Sequence, residues 1–405
     1  MTQVPFFRVE LGDEEIAETI DTLKSGWLTT GPKTRRFEEA FAQATGATHA
    51  IALNSCTAAL HLAVEALGLA PGDGVLVPAM TFAATAEVVR YLGAIPILVD
   101  CEPDTLNLDW QHAEAVLADL AAGRCPPGTN AATRVVGVIP VHYGGYMVDM
   151  DVARRFADRH GLWVVEDAAH AFPAAWRASA SEPWRRCGER TSDIACFSFY
   201  ANKTLTTGEG GMAVTSSEEL AARMRLMSLH GLSRDAWDRY SAAGTWDYRI
   251  VAPGFKYNLT DVAASIGIHQ LARADALRDE RARRVAWYDE RLAASPFITR
   301  PVRDDSRQHA WHLYPVQLDV ESLPVTRDQV MTGMRSRGVT CSVHWRPLHL
   351  HPYYQERFGY GPAHCPVATR LFERNLSLPL FPTLGVSEVD HVVDSLVHAC
   401  RTPTS

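Results

Sequence analysis

The run from Cys196 to Met212 reads Cys-Phe-Ser-Phe-Tyr-Ala-Asn-Lys-Thr-Leu-Thr-Thr-Gly-Glu-Gly-Gly-Met. It sets one lysine, Lys203, between an apolar, strand-like stretch and a Thr/Gly turn that leads into a second apolar stretch. A lysine that must lose a proton and attack a carbonyl carbon needs shielding from water, because desolvation disfavours the ammonium form. Taken alone, the run reads equally as a tight hairpin carrying a surface lysine. Asp167 stands at the end of another apolar run, Leu162 to Asp167, where a lone carboxylate is costly without a cationic partner. A protonated pyridine nitrogen would be such a partner; the alternative is a helix N-cap made by Glu166-Asp167. Ser55-Cys56-Thr57, ahead of a helical pattern from Ala58 to Leu67, and Ser198, five residues before Lys203, offer the backbone N–H groups and hydroxyls that a phosphate needs. Each of these also reads as a cap.

Phe82, just past a strand end, is placed either to stack on a ring or to fill the core. His170, three residues after Asp167, either braces a ring or its hydroxyl or sits as a satisfied buried histidine. Together these features meet the needs of pyridoxal phosphate (PLP), an electron sink that Lys203 would hold as a Schiff base. The histidines of Val343-His344-Trp345-Arg346-Pro347-Leu348-His349-Leu350-His351 make a weak metal motif, interrupted by proline and lacking acidic ligands, so no metal is expected. His344 with Arg346 suits an anionic or sugar ligand better.

The elements that must position these residues follow from patterning. Apolar runs at His49–Leu53, Gly74–Pro78, Ala94–Asp100, Arg134–Pro140 and Leu162–Asp167 alternate with helical patterns. Strands that are apolar throughout, each followed by a helix, predict an α/β fold with a mostly parallel sheet covered on both faces. In such sheets ligands sit beyond the carboxyl ends of the strands, which gathers Ser55-Cys56-Thr57, Thr81-Phe82, Val141-His142-Tyr143 and Asp167 around one crevice. Before the sheet, Gly12 to Lys24 carries Ile16, Ile20 and Leu23 at helical spacing, with Ser25-Gly26 as a stop. Trp27 to Pro32 reads as a packed connector or a substrate-lining loop, and a second helix is predicted from Pro32 to Ala44. After the lysine turn come a helix from Ser217 to about Leu229, a polar excursion from Ser233 to Tyr248, a helix Val262 to Leu271 capped by Lys256–Asp261, and a charged helix through Leu292. The expected organisation is an N-terminal helix and active-site loop over 1–31, a large cofactor domain over 32–271 and a smaller α/β domain over 272–405.

At 405 residues and a net charge of -8, the chain gives no reason to expect a nucleic acid or an anionic membrane as partner. No apolar run is long enough to span a bilayer, and Met1-Thr2-Gln3-Val4-Pro5 lacks a basic start and an apolar signal core. The eight cysteines include no C-x-x-C pair, which suits reduced thiols in the cytoplasm.

Six stretches together resemble the DegT/DnrJ/EryC1/StrS family of sugar aminotransferases. They are Ser25–Pro32, Asn54–Leu60, Glu166–Ala171, Phe197 through Gly211, Pro253–Asn258 and Trp311–Tyr314. The resemblance runs essentially end to end and implies the PLP fold type I of the aspartate aminotransferase superfamily, with a mostly parallel seven-stranded sheet. By position it implies that Lys203 holds the cofactor, Asp167 meets the pyridine nitrogen, Phe82 stacks on the ring, and Cys56, Thr57 and Ser198 bind the phosphate. Asn258 matches a residue that reaches the phosphate of a neighbouring subunit's cofactor, which implies a homodimer with shared sites. Thr29, Thr30, His312, Tyr314 and His344 stand as candidate substrate-binding positions. The segments Pro253–Asp261 and Val343-His344 look most like the branch that aminates C4 of UDP-linked 4-keto sugars, with L-glutamate or glutamine as donor.

Relatives acting on keto-cyclitols remain an alternative, as does, from another class, a PLP-binding sensor without turnover. A dehydratase relative would carry histidine at the Lys203 position, and a nicotinamide dehydrogenase would want G-x-G-x-x-G where Asn54-Ser55-Cys56-Thr57 stands. Two departures stand out. Cys56 replaces a commoner Gly, Ala or Ser, and the loop Ala174 to Arg190, with Trp176, Trp184 and several arginines, is longer than usual.

Overall fold

The computed structural model describes residues 2–232 and 249–402; the predicted excursion from Ser233 to Tyr248 lies outside them. After two N-terminal helices, five strands alternate with helices: β1 (His49–Leu53), β2 (Gly74–Pro78), β3 (Ile95–Val99), β4 (Val135–Val138) and β5 (Trp163–Asp167). A short hairpin, β6 (Ala175–Trp176) and β7 (Arg185–Arg186), precedes β8 (Ile194–Ser198) and β9 (Gly211–Thr215). The long strands form one seven-stranded sheet in the order β1-β9-β8-β5-β4-β2-β3. All its strands run one way except β9, which is antiparallel to both neighbours. The reason is local: β8 and β9 are the two arms of the turn that carries Lys203, and Ser198 faces Gly211 across it.

Both faces of the sheet are buried, so the strands follow the period of two inside an all-apolar run. Along β5 and β8, Val164, Ala195 and Phe197 face one core with Phe41, Phe156 and Trp176. Val165, Ile194 and Cys196 face the other, beneath the helix Cys56–Ala66. A third core belongs to a smaller layer, where β10 (Ile298–Thr299), β12 (Tyr314–Leu318) and β13 (Asn375–Leu378) form an antiparallel sheet. That layer is covered by the helices Ala274–Leu292, Arg327–Ser336 and Val386–Arg401, and Val4 pairs with Val339 at its edge.

The N-terminal helices are fastened by a long-range cap. Gly31 precedes the helix Pro32–Thr45 and has no side chain to satisfy the helix's first N–H groups. Asp261 does so from 230 residues away, accepting from the N–H of Gly31 (2.8 Å), Lys33 (3.1 Å) and Thr34 (2.9 Å) and from the Thr34 hydroxyl (2.6 Å). A Cβ at residue 31 would fall 2.1 Å from Trp27 Nε1 and 2.8 Å from Asp261 Oδ2, so only glycine fits. Thr260 caps its own helix, Asp261–Ala272, by accepting from Ala263 N–H (3.3 Å).

The first helix, Asp13–Ser25, ends at Gly26 with φ 76°, as Ser25-Gly26 foretold. Its face against the helix Asp261–Ala272 is polar: Glu15 and Thr22 are buried there. Its apolar stripe points outward, with Ile16, Ile20 and Leu23 between 45% and 55% exposed.

Candidate active site

The carboxyl ends of β1, β5 and β8 open onto one cavity of about 490 Å³. Lys203, Asp167, Cys56, Thr57, Ser198, Phe82, His170, His312 and His344 all line it. Lys203 enters from the β8–β9 turn, fixed by its own N–H donating to Tyr200 C=O (2.9 Å) and by the Thr204 hydroxyl donating to Phe172 C=O. Its amine reaches the cavity while the surrounding walls strip it of water. Burial pushes its pKa down to about 8, against the opposing pull of Cys56 and Asp167.

Asp167 ends β5 with its carboxylate buried. Burial raises its pKa, partly offset by the Thr85 hydroxyl donating to Oδ2 (2.7 Å) and Ala169 N–H donating to Oδ1 (3.2 Å). Thr85 is itself braced by Thr81 (2.7 Å). A carboxylate held this way and aimed into a cavity suits a cationic ring nitrogen.

The helix Cys56–Ala66 points its N-terminus at the same space. Ser55 caps it by accepting from Ala58 N–H (3.0 Å), which leaves the N–H groups of Cys56 and Thr57, the first two of the helix, for a phosphate. The Cys56 thiol turns inward to donate to Cys196 C=O (3.6 Å), and burial pushes its pKa well up. Its size therefore does not obstruct the phosphate cradle. Gly211 lets β9 run beneath this turn: a Cβ there would lie 2.4–2.5 Å from the backbone of Ser55 and Cys56. Phe82 is 59% exposed at the cavity wall, an unusual posture for a core phenylalanine and a fitting one for a ring that covers a flat cofactor.

Opposite Asp167, three imidazoles gather. His170 and His312 have ring centroids 4.2 Å apart, and His170 stacks on Trp345 at 5.0 Å and 26°. His344 donates or accepts through Nδ1 at Ser377 Oγ (2.9 Å) and stacks with Phe6. Burial lowers the pKa of all three, that of His344 to about 3; Lys203 adds to it for His170 and His344, and His170 followed by Lys203 for His312. They are uncharged hydrogen-bonding groups at neutral pH.

Not every expected residue arrives here. Tyr314 lies in the core of the smaller layer, stacked on Tyr288 (4.9 Å) and donating to Asp289 Oδ1 (2.7 Å). It does not line the cavity. His312 lies in a bend ahead of the strand, whereas Tyr314 is the first residue of β12 (Tyr314–Leu318), so the strand's alternation does not extend to His312. Arg346 also stays away, over the ring of Phe372. Thr29, Thr30 and Asn258 sit together elsewhere. Thr29 C=O accepts from Asp261 N–H (3.1 Å), Asn258 Nδ2 donates to Thr30 Oγ1 (2.6 Å), and Thr30 donates to Leu259 C=O. Thr30 and Asn258 line a separate cleft with Arg35 and Arg225.

His142 is buried on the far side of β5. Its Nδ1 accepts from Val148 N–H (3.1 Å), so Nε2 carries the proton that it gives to Glu166 (2.8 Å). Thr191, Ser192 and Cys187 also donate to Glu166, making a closed hydrogen-bonded set in which that carboxylate stays charged. Tyr143 donates to His344 C=O (2.5 Å). The Ala174–Arg190 loop forms β6 and β7, which pair with each other while β6 also pairs with β11 (Arg307–Gln308), and stacks Arg177 on Trp184 and Arg185 on Trp176 away from the cavity. Conversely, Thr85, Tyr200, Asn202, Glu209 and Trp345 touch Asp167 or line the cavity. Of these only Thr85, one helical turn after Thr81, had a spacing signal.

The DegT/DnrJ/EryC1/StrS aminotransferase family profile matches residues 9–397. The chain belongs to this family. It is a PLP-dependent aminotransferase of the DegT/DnrJ/EryC1/StrS type. Among relatives, it is 42% identical over 394 residues to the spore coat polysaccharide biosynthesis protein SpsC of Bacillus subtilis strain 168, covering 97% of this chain and 96% of SpsC. Spr1654 of Streptococcus pneumoniae, solved in its PLP form, is 30% identical with a TM-score of 0.84 over 98% of this chain and 99% of that one; a PMP form is also solved. The sugar aminotransferase CalS13 of Micromonospora echinospora is 28% identical with a TM-score of 0.81, covering 97% and 99% of the two chains. The cavity fits the family's cofactor by its own chemistry: a desolvated lysine, a buried carboxylate to which no cation is bonded among the described residues, and an exposed aromatic face converge on one helix N-terminus.

Proposed function

We propose that the chain moves an amino group from L-glutamate or glutamine to a keto group, at C4, of a nucleotide-diphosphate-linked keto sugar, working as a homodimer with shared sites. The observation that carries this reading is the convergence of Lys203, Asp167, Phe82 and the Cys56-Thr57 N-terminus on one cavity. Bound there, PLP supplies an electron sink for charge developing at the donor's Cα.

The chain's residues do the rest. Cys56 N–H, Thr57 N–H and Ser198 would hold the phosphate, Phe82 would cover one ring face, and Asp167, oriented by Thr85, would keep a proton on the ring nitrogen. Lys203 Nζ, desolvated at the cavity wall, would take the proton from the donor's Cα and hold it for return, and on the acceptor half would deliver a proton to the substrate carbon. The neutral imidazoles of His170, His312 and His344, with Trp345, offer uncharged donors, acceptors and a flat wall, which suit a hydroxylated sugar ring. SpsC and CalS13, which by name serve polysaccharide biosynthesis and sugar amination, support a sugar acceptor.

Two features support the dimer. Asn258 and Thr30 lie off the chain's own Lys203 cavity, where they could serve a neighbour's phosphate. The outward Ile16, Ile20, Leu23 and Leu28 make an apolar surface that a second copy would cover.

The test is to aminate the cofactor with glutamate and then offer keto-sugar nucleotides and keto-cyclitols, watching for return of the PLP absorbance. A response to 4-keto-sugar nucleotides is expected. A response to cyclitols alone would replace the substrate class, and no response to any ketone would favour a sensor.

A further inference from the structure

Beside the main cavity, with which it shares Asn202 and Lys203 as lining residues, lies a small pocket of about 20 Å³ that is partly open to solvent. It is lined by the N-terminal segment Phe7–Glu10, the lysine loop at Asn202 and Lys203, Arg281 of the helix Ala274–Leu292, and Pro382. Arg281 is only 4% exposed. Its Nη1 donates to Leu380 C=O (2.9 Å) and Trp311 C=O (3.4 Å), but its Nε–H has no acceptor. Among the described residues no carboxylate forms an ion pair with it. The carboxylate that acts on it electrostatically, that of Glu10, is already bonded to Arg273 Nη1 (3.0 Å). Asn202 Oδ1 is a second buried polar atom without a partner at the same pocket.

Burying a guanidinium without a counter-charge is costly. Burial draws the Arg281 pKa down to about 10, yet the group stays a cation at neutral pH. Of the cations bordering the pocket, Arg8 is paired with Glu388 (3.4 Å) and Lys203 also lines the main cavity, while Glu10 is paired with Arg273 (3.0 Å), which leaves Arg281 without an ion-pair partner among the described residues. The space admits one water or one monatomic ion, and the excess of positive charge decides between them. The orphaned Asn202 Oδ1 is no obstacle, because the two ends of a carboxamide are nearly alike in shape and a half-turn presents Nδ2 instead.

We infer that this pocket binds one monatomic anion of chloride size, held by the Arg281 Nε–H and the Asn202 side-chain amide. The ion would join the helix Ala274–Leu292, and through Arg281 the carbonyl beside His312, to the loop that carries Lys203. It would tie the smaller layer to the catalytic lysine without entering the substrate cavity.

The experiment uses the full chain with its cofactor, exchanged from chloride into bromide. Crystals measured at the bromine absorption edge are expected to show one anomalous peak within hydrogen-bond reach of Arg281 Nε and Asn202. In parallel, melting temperature is expected to rise saturably with bromide or chloride against gluconate at constant ionic strength. That rise should vanish in Arg281→Met and in Asn202→Asp, the latter supplying its own anion; if Arg281→Met fails to fold, Asn202→Asp carries the test. A water molecule or a carboxylate of a second subunit at that spot, no halide-specific rise, or a rise that survives Asn202→Asp would each overturn the inference.

Discussion

Replacing Phe82 by alanine separates a cofactor-covering ring from a core ring, because the two roles predict opposite results. Phe82 is 59% exposed in the chain without ligand. A phenylalanine carries roughly 200 Å² of surface, so about 120 Å² remains open. If a flat cofactor covers half of that, the contact is worth about 1.5 kcal/mol at ~25 cal/mol per Å², or about tenfold in affinity. Since little of the side chain is packed, the stability of the cofactor-free protein should move by less than about 0.5 kcal/mol. Titrating cofactor-free wild-type and Phe82→Ala proteins with PLP, followed by absorbance, measures the first quantity; urea unfolding of the same preparations measures the second. Unchanged affinity together with a loss of about 3 kcal/mol or more in stability, the usual cost of truncating a core phenylalanine, would refute the reasoning.

Three further outcomes follow from the site. In the cofactor-free chain the Lys203 amine, its pKa lowered to about 8 by burial, should capture PLP faster as pH rises through about 8, and a midpoint near the ordinary 10.5 would contradict the desolvated setting. His170, His312 and His344 are uncharged when folded but titrate near 6.5 when unfolded, so the unfolded chain gains protons first as pH falls. Stability should therefore be full above about pH 6.5 and decline below it, for His344 down to about pH 3, by up to ~1.4 kcal/mol per pH unit for each residue. His312→Gln should make the acid limb of the urea-midpoint profile shallower. Asp261→Ala strips the helix Pro32–Thr45 of its acceptor for three backbone N–H groups, and chemical denaturation should show a loss of at least ~2 kcal/mol.

The parts of this molecule that could be read from sequence were those governed by local pattern. All-apolar strands alternating with helices specified a covered, mostly parallel sheet, and the strand-end rule then gathered Cys56, Thr57, Phe82 and Asp167 where the cavity has them. What escaped depended on single backbone angles and distant partners. A bend at His312, just before β12 begins at Tyr314, splits the two residues, although an extended strand would put both on one face. Asp261 looked like part of its own helix cap, yet it caps a helix 230 residues away, because Gly31 cannot. His142 shares the strand-end loop with Val141, but its ring is drawn to Glu166 on the opposite side of the sheet. The stripe Ile16, Ile20, Leu23 had the right period for a helix and gave no sign that the chain's own core would meet the polar face instead.

The central claim is that Lys203 is the lysine that binds the cofactor covalently. The chain has only four lysines, at 24, 33, 203 and 256, so reducing the PLP-loaded protein with borohydride and mapping the added mass by peptide mass spectrometry gives an unambiguous answer. The account predicts the adduct on the peptide containing Lys203, with none in Lys203→Ala. An adduct on any other lysine, or one that persists in Lys203→Ala, would contradict it.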